Sequence, residues 1–248
     1  MKFRATAITA VFLLGCAREA ALEWHAAEFA GDPCGDCAQV SVTIPTASED
    51  SALGRTVNTG IREEIIDWLD YTDADNPPDI PGAIRAFEQA YRAARQAFPE
   101  EQTPWEAAVE GRVAYAGPDW ISVRLEGHIF TGGAHGFTRV RYLLFDRNIP
   151  AETEPATLFR DTPGFTALAE TAFREANGIP SDAGINSTGF MFEEGAFALP
   201  ETIGLEEEGV MLLYNPYEIA SYAEGPIALL IPWEKALPFL DRHTSATE

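Results

Sequence analysis

Trp120-Ile121-Ser122-Val123-Arg124-Leu125-Glu126-Gly127-His128-Ile129-Phe130 and Phe137-Thr138-Arg139-Val140-Arg141-Tyr142-Leu143-Leu144-Phe145-Asp146 are two strand-like runs joined by Thr131-Gly132-Gly133-Ala134-His135-Gly136. In the first run Ile121, Val123, Leu125 and Ile129 fall on one face of a strand, around Gly127. The glycines of the link suit a tight strand-to-strand turn. Upstream, Ala107 to Ala116 alternates more loosely and connects through Gly117-Pro118-Asp119. Three consecutive strands with short turn-bearing links predict an antiparallel meander, and the rest of the chain arranges itself around it.

Before the meander, Val40, Val42 and Ile44 mark a strand over Gln39 to Ile44, closed by Pro45. Ser51 to Asp70 carries Ile61, Ile65 and Leu69 at helical spacing, with Ile66 and Trp68 widening the stripe. Gly82 to Phe98 is a second helix, with Ile84, Phe87, Tyr91, Ala94 and Phe98 on one side and Arg85, Arg92 and Arg95 on the other. After the meander, Pro163 to Ala176 is a helix stopped by Asn177-Gly178. Short strands are expected at 190–192 and 197–199, longer ones at Gly209 to Tyr214 and Pro226 to Ile231, and a closing helix at Trp233 to Leu240. The class is α+β, with antiparallel sheets packed against a few helices in two subdomains, 38–150 and 151–241.

The N-terminus has the composition of an export signal. Lys2 and Arg4 precede an apolar run, Ala5 to Leu14, that is too short to span a bilayer. The run ends in Leu13-Leu14-Gly15-Cys16, which resembles a bacterial lipobox. That resemblance implies acylation of Cys16 and removal of residues 1–15, with 16–37 as a tether. Ala17 after the lipidated Cys implies outer-membrane retention in a Gram-negative host, facing the periplasm. Membrane contact is then expected only through the lipid anchor.

The chain carries a formal charge of −22, and Lys2 and Lys235 are its only lysines. Such a surface repels nucleic acid and anionic headgroups and attracts cationic partners at long range. Solubility or a salty habitat explains the same charge without a partner. Cys34 and Cys37, in Cys-Gly-Asp-Cys, are a candidate disulfide in an exported protein. A redox role would need the pair at a strand-to-helix junction, and a zinc site would need two further ligands.

Three landmarks occur in order: Thr-Gly-Gly-Ala-His at 131–135, Leu-Phe-Arg-Asp at 158–161, and Tyr214-Asn215-Pro216-Tyr217-Glu218-Ile219-Ala220. In this order they resemble the RsiV-like extracytoplasmic proteins, in which a PdaC/RsiV-like N-terminal domain precedes a second α+β domain. The resemblance spans most of 38–241 and implies a cell-envelope binding module. The ligand it implies is a basic protein such as a lysozyme-like enzyme, or peptidoglycan fragments. One branch of the family is an anti-sigma factor with a cytoplasmic segment and a membrane helix. No counterpart is read here, so no direct anti-sigma role is expected.

Candidate ligand-binding residues are Gly132, Gly133, His135, Tyr217 and Glu218. The glycines allow φ > 0 and close backbone approach, so the turn could offer amides to an anion beside His135. Equally, they only shape the turn, and His135 bonds a backbone carbonyl. The alternative to a binding module is an enzyme acting on cell-wall glycans, with His135 and a carboxylate such as Glu218 or Asp146 at its centre. A metal set of His128, His135 and Asp146 has no paired ligand spacing to support it, so no metal and no cofactor are expected. The run Glu206 to Glu208 reads as a solvated turn. Of Tyr214, Tyr217 and Tyr222, at least two are expected to pack in the core.

Overall fold

The structure, a computed structural model, describes residues 22–31, 37–71, 77–100 and 103–241. In chain order the regular elements are β1 (Trp24–Ala30), β2 (Gln39–Ala47), α1 (Ala52–Leu69), α2 (Ile80–Ala97), β3 (Glu106–Ala116), β4 (Trp120–Phe130), β5 (Phe137–Asp146) and β6 (Ala151–Thr153). They continue as α3 (Thr162–Ala176), β7 (Thr202–Glu206), β8 (Gly209–Tyr214), β9 (Ile227–Pro232) and the short α4 (Trp233–Ala236). The first six strands form one sheet in sequence order and the last three form a second sheet. The fold is α+β, as expected.

The expected meander is the centre of the larger sheet. Trp120 pairs with Asp146 and Ile129 with Phe137 across β4 and β5, and Glu106 pairs with Phe130 across β3 and β4. Period-two alternation sends Ile121, Val123, Leu125 and Ile129 into one core with Leu143 and Phe145. Helices α1 and α2 close that core through Val57, Ile61, Ile65, Leu69, Ile84 and Phe87, all buried. Each long helix begins on a side-chain oxygen that accepts from a glycine N–H three residues on. The pairs are Ser51 to Gly54 at 3.0 Å, Asp79 to Gly82 at 2.7 Å and Asp161 to Gly164 at 2.9 Å.

Several sequence expectations give way. Residues 16–37 are not a plain tether, because Trp24–Ala30 pairs antiparallel with β2 as an edge strand. Its one-sided burial leaves only Trp24, Ala27 and Phe29 to signal it. Strand β2 continues through Pro45 to Ala47, which is tolerated because its pairing with β3 stops at Thr43. That β2–β3 pairing is parallel, made possible by the two-helix crossover. Strand β6 keeps the first sheet going just past the expected boundary at 150. Phe98 is 64% exposed rather than on the buried face of α2. Residues 190–192 and 197–199 form no strands. Their phenyl rings instead surround Phe173 and Tyr214, with ring centroids 4.9–5.6 Å from that of Phe173.

The second sheet lies on the opposite face of β3, β4 and β5 from the helices. Strand β7, missed from sequence, makes the contact. A side chain at Gly204 would collide with the Tyr142 ring, so only glycine lets the sheets approach this closely. Leu205 N–H donates to the buried Ser122 hydroxyl at 3.1 Å. Glu206 is the largest correction: it is 8% exposed rather than part of a solvated turn. Its carboxylate accepts both terminal guanidinium nitrogens of Arg112, at 2.9 and 2.5 Å, and the Tyr142 hydroxyl. Burial and that charged acceptor push the Tyr142 phenol well above its ordinary pKa.

Removing Glu206 leaves a guanidinium and a phenol facing each other between the sheets. Glu206→Ala should therefore cost about 2–4 kcal/mol in urea unfolding, discounted because half of Arg112 meets solvent. A loss below about 1 kcal/mol would mean that the triad does not hold the sheets together.

Candidate functional site

The Thr131–Gly136 link forms the tip of the β4–β5 hairpin. Gly132 and Gly133 take φ of 99° and 85°, a region that disfavours side chains, so both glycines are needed for the turn itself. His135 is exposed, and its Nδ1 lies 3.0 Å from the Gly136 carbonyl oxygen. That contact assigns the proton to Nδ1, which donates. The imidazole stacks on the Tyr222 ring at a centroid distance of 4.1 Å. The Tyr222 hydroxyl donates to the same Gly136 oxygen at 2.6 Å. Residues 86 apart, just past the first and third landmarks respectively, thus meet at one carbonyl.

The Tyr214–Ala220 landmark reaches that place through Asn215. Its Oδ1 accepts from Val140 N–H at 2.8 Å and its Nδ2 donates to Val140 C=O at 3.0 Å. The side-chain amide does for β5 what a neighbouring strand would. Glu218 holds the Asn-Pro-Tyr turn from behind, its two oxygens accepting from Asn215 N–H at 2.8 Å and Glu201 N–H at 3.0 Å. Burial raises the Glu218 pKa above the usual carboxylate value, with the two amides opposing that rise. Tyr217 projects from this turn at φ 71°, 60% exposed, with its ring 5.6 Å from that of Tyr222. Of the three tyrosines only Tyr214 is fully buried, bonded to Ala198 C=O at 2.7 Å. Tyr222 is partly buried and Tyr217 is free to touch a partner.

Of the candidate residues, the structure gathers Gly132, Gly133, His135 and Tyr217 into one exposed tip and places Glu218 beneath it as a backbone anchor. It does not gather a catalytic set. Glu218 is spent on two amides, and His135 has a carbonyl and a tyrosine ring as its partners. Asp146 accepts from Asn148 N–H at 2.8 Å at the far end of β5, about 30 Å away along the strand. The same separation breaks up the His128, His135 and Asp146 set. His128 contacts Thr138 at 3.1 Å instead. Among the described residues no group of three potential metal ligands occurs. Cys37 is disulfide-bonded; Cys34, its expected partner, lies outside the described residues, as does Cys16.

A second depression, of about 280 Å³, opens on the other side of the same hairpin. Trp68, Tyr71, Phe137 and Arg139 line it, and none of them stood out as a candidate in the sequence. Trp68 and Phe137 are nearly 70 residues apart in the chain, so no local pattern joins them.

The chain is thus a two-sheet α+β body whose hairpin tip and Asn-Pro-Tyr turn pack together. A family model described as deacetylase PdaC matches residues 35–138, and one described as DUF3298, a protein of unknown function, matches 156–234. The chain carries a PdaC domain followed by a DUF3298 domain, the architecture expected from its motif order, and these domains indicate a cell-envelope protein. A DUF3298-family crystal structure from Bacteroides fragilis superposes with a TM-score of 0.68 at 19% identity, covering 89% of this chain and 94% of that one. Another, from Pseudomonas aeruginosa, gives 0.64 at 18% identity, covering 93% and 99%. At such identities the likeness is one of fold. No curated protein matches the chain.

Because the folded state holds the Glu218 proton more tightly than the unfolded chain does, this group favours the fold fully at low pH. That contribution is lost as pH rises from the ordinary carboxylate value through the raised folded value. Glu218→Gln should remove this part of the pH dependence. Urea midpoints of the wild type and the variant, compared between about pH 4 and about pH 7, should diverge with falling pH in favour of the wild type. Parallel profiles would refute it.

Proposed function

We propose that the protein is a non-catalytic binding module of the cell envelope. It is anchored by lipid on Cys16, in the outer membrane facing the periplasm, and binds a basic protein such as a lysozyme-like enzyme through the Tyr217 tip. The observation that carries this reading is Tyr217 itself. An L-residue in the left-handed region costs roughly 1–2 kcal/mol, and a glycine would sit there without strain. A tyrosine kept at φ 71° and 60% exposed has little beyond its contact with the Tyr222 ring to offset that cost. Exposed tyrosines backed by rigid neighbours are the residues that anchor protein interfaces. Here the backing is the Tyr222–His135 stack, pinned on both domains.

Charge selects the partner. Export would remove Lys2 and Arg4, so −22 becomes −24 before termini are counted. Such a body steers cations toward it and repels nucleic acid. The catalytic alternative needs a carboxylate on His135, whereas the partners seen for its ring among the described residues are the Gly136 carbonyl and Tyr222; capture of peptidoglycan fragments at the tip in place of protein would replace the present reading.

Tyr217→Gly separates contact from fold. The variant should keep its stability to within about 1 kcal/mol, since glycine relieves the backbone, while affinity for a lysozyme falls at least about tenfold, or about 1.4 kcal/mol. Wild-type affinity should also weaken steeply from about 50 mM to about 500 mM salt. Calorimetric titration showing no binding, or an affinity indifferent to Tyr217→Gly, would remove the proposal.

A further inference from the structure

The depression between α1 and the β4–β5 hairpin is a separate feature from the Tyr217 tip. Its floor is Gly127, where the absent side chain lets Trp68 lie directly on the strand; a Cβ there would come within 2.6 Å of the indole. Phe137 and Tyr71 form its walls and are 48% and 42% exposed. Their apolar faces are not used up by packing. Tyr71 rests with its edge against Phe87, centroids 5.4 Å apart, which fixes its orientation.

The polar part of the lining carries both signs, the Arg139 guanidinium against the Asp67 and Asp70 carboxylates. The Arg139 guanidinium sits over the Trp68 ring at 5.8 Å. Its carboxylate neighbours are at ion-pair distance only, 3.7 Å for Asp67 and 4.0 Å for Glu64, too long for hydrogen bonds. Arg139 therefore keeps planar N–H donors available to a ligand. Asp67, 74% exposed, keeps acceptors beside them. Glu64 is committed elsewhere: it accepts from Trp68 Nε1 at 2.7 Å and pairs with Arg141 at 2.8 Å.

These features restrict the ligand. A cation would be drawn by Asp67 and Asp70 but would have to lie beside the Arg139 guanidinium over Trp68. An anion would meet Asp67 and the strongly negative chain around it. A neutral ring with apolar C–H faces and hydroxyls that both donate and accept meets neither penalty. It uses the aromatic walls, the guanidinium and the carboxylate at once. The volume, about 280 Å³, lies at the low end for small-molecule sites and suits one ring rather than an extended chain. We propose that the Trp68–Tyr71–Phe137–Arg139 cleft binds an uncharged saccharide ring, stacked on Phe137 and Tyr71 and hydrogen-bonded to Arg139 and Asp67.

The test uses the full chain and a set of defined probes: glucose, galactose, N-acetylglucosamine and their trisaccharides, with lysine amide and glutamate as charged controls. Saturation-transfer NMR should show transfer to the ring protons of at least one neutral sugar and to neither charged control. Phe137→Ala, at an exposed position, should weaken that sugar at least tenfold. Asp67→Asn, which keeps the shape and one acceptor, should weaken it less. Tyr217→Gly should leave it unchanged, which separates this cleft from the tip. No transfer from any neutral sugar at millimolar concentration, preference for a charged control, or a sugar signal indifferent to Phe137→Ala would each overturn the assignment.

Discussion

The amide of Asn215 on the backbone of Val140 is the contact on which the functional end of the molecule depends. Strand β6 pairs only with Leu144, Phe145 and Asp146, so among the described residues β5 runs toward the hairpin tip with no strand on its outer side. An uncovered edge there would expose a row of donors and acceptors to solvent or to another chain. Asn215 fills one place in that row with a donor and an acceptor of its own. Its Nδ2 also reaches the Thr202 hydroxyl at 3.1 Å, tying the start of β7 into the same junction. The Asn-Pro-Tyr turn is thereby fixed against the first sheet, and Tyr222 is brought over His135.

This arrangement explains why the polar groups at the junction are shared rather than duplicated. Gly136 C=O accepts from both the His135 ring and the Tyr222 hydroxyl, and Glu218 satisfies two amides with one carboxylate. Each group has a structural partner, so the tip is rigid on its protein side and unoccupied on its solvent side. Rigidity of this kind lowers the entropic cost of recognition, because the aromatic surface needs no ordering when a partner arrives. The proposed binding role thus draws on the same hydrogen bonds that occupy His135 Nδ1 and both Glu218 oxygens.

Local pattern made part of this legible. The meander, the three long helices and the turn glycines are specified by residues close in sequence, where alternation, helical spacing and capping act over a few positions. Glu218 reads as a candidate ligand acid, because nothing near it in the chain shows the Glu201 amide it accepts from. Edge strand β1 did not show, because it buries one face only and its Ala-rich segment resembles a solvated linker. Glu206 was misread for a related reason. In an acidic run, sequence gives no sign of which carboxylate has an Arg112 and a Tyr142 waiting on another sheet. The parallel β2–β3 pairing and the Trp68–Gly127 contact are also long-range, so neither leaves a local periodicity.

The two faces of the hairpin divide their chemistry by strand alternation. On β5, odd positions such as Phe137, Arg139 and Arg141 point to the helical side, and even positions such as Thr138, Val140 and Tyr142 to the second sheet. A single register thus assigns Arg139 to the cleft and Tyr142 to the inter-sheet triad. Shifting it by one residue would exchange every one of these side chains. The pairing that prevents such a slip is the continuous β4–β5 ladder from Trp120–Asp146 to Ile129–Phe137. Its far end is fixed by the Asp146 carboxylate accepting from Asn148 and Ile149 N–H, and its near end by Asn215 and the Gly136 carbonyl. The proposed cleft and the proposed protein-binding tip are consequently coupled in position although they share no side chain, since both are read off the same two strands held at both ends.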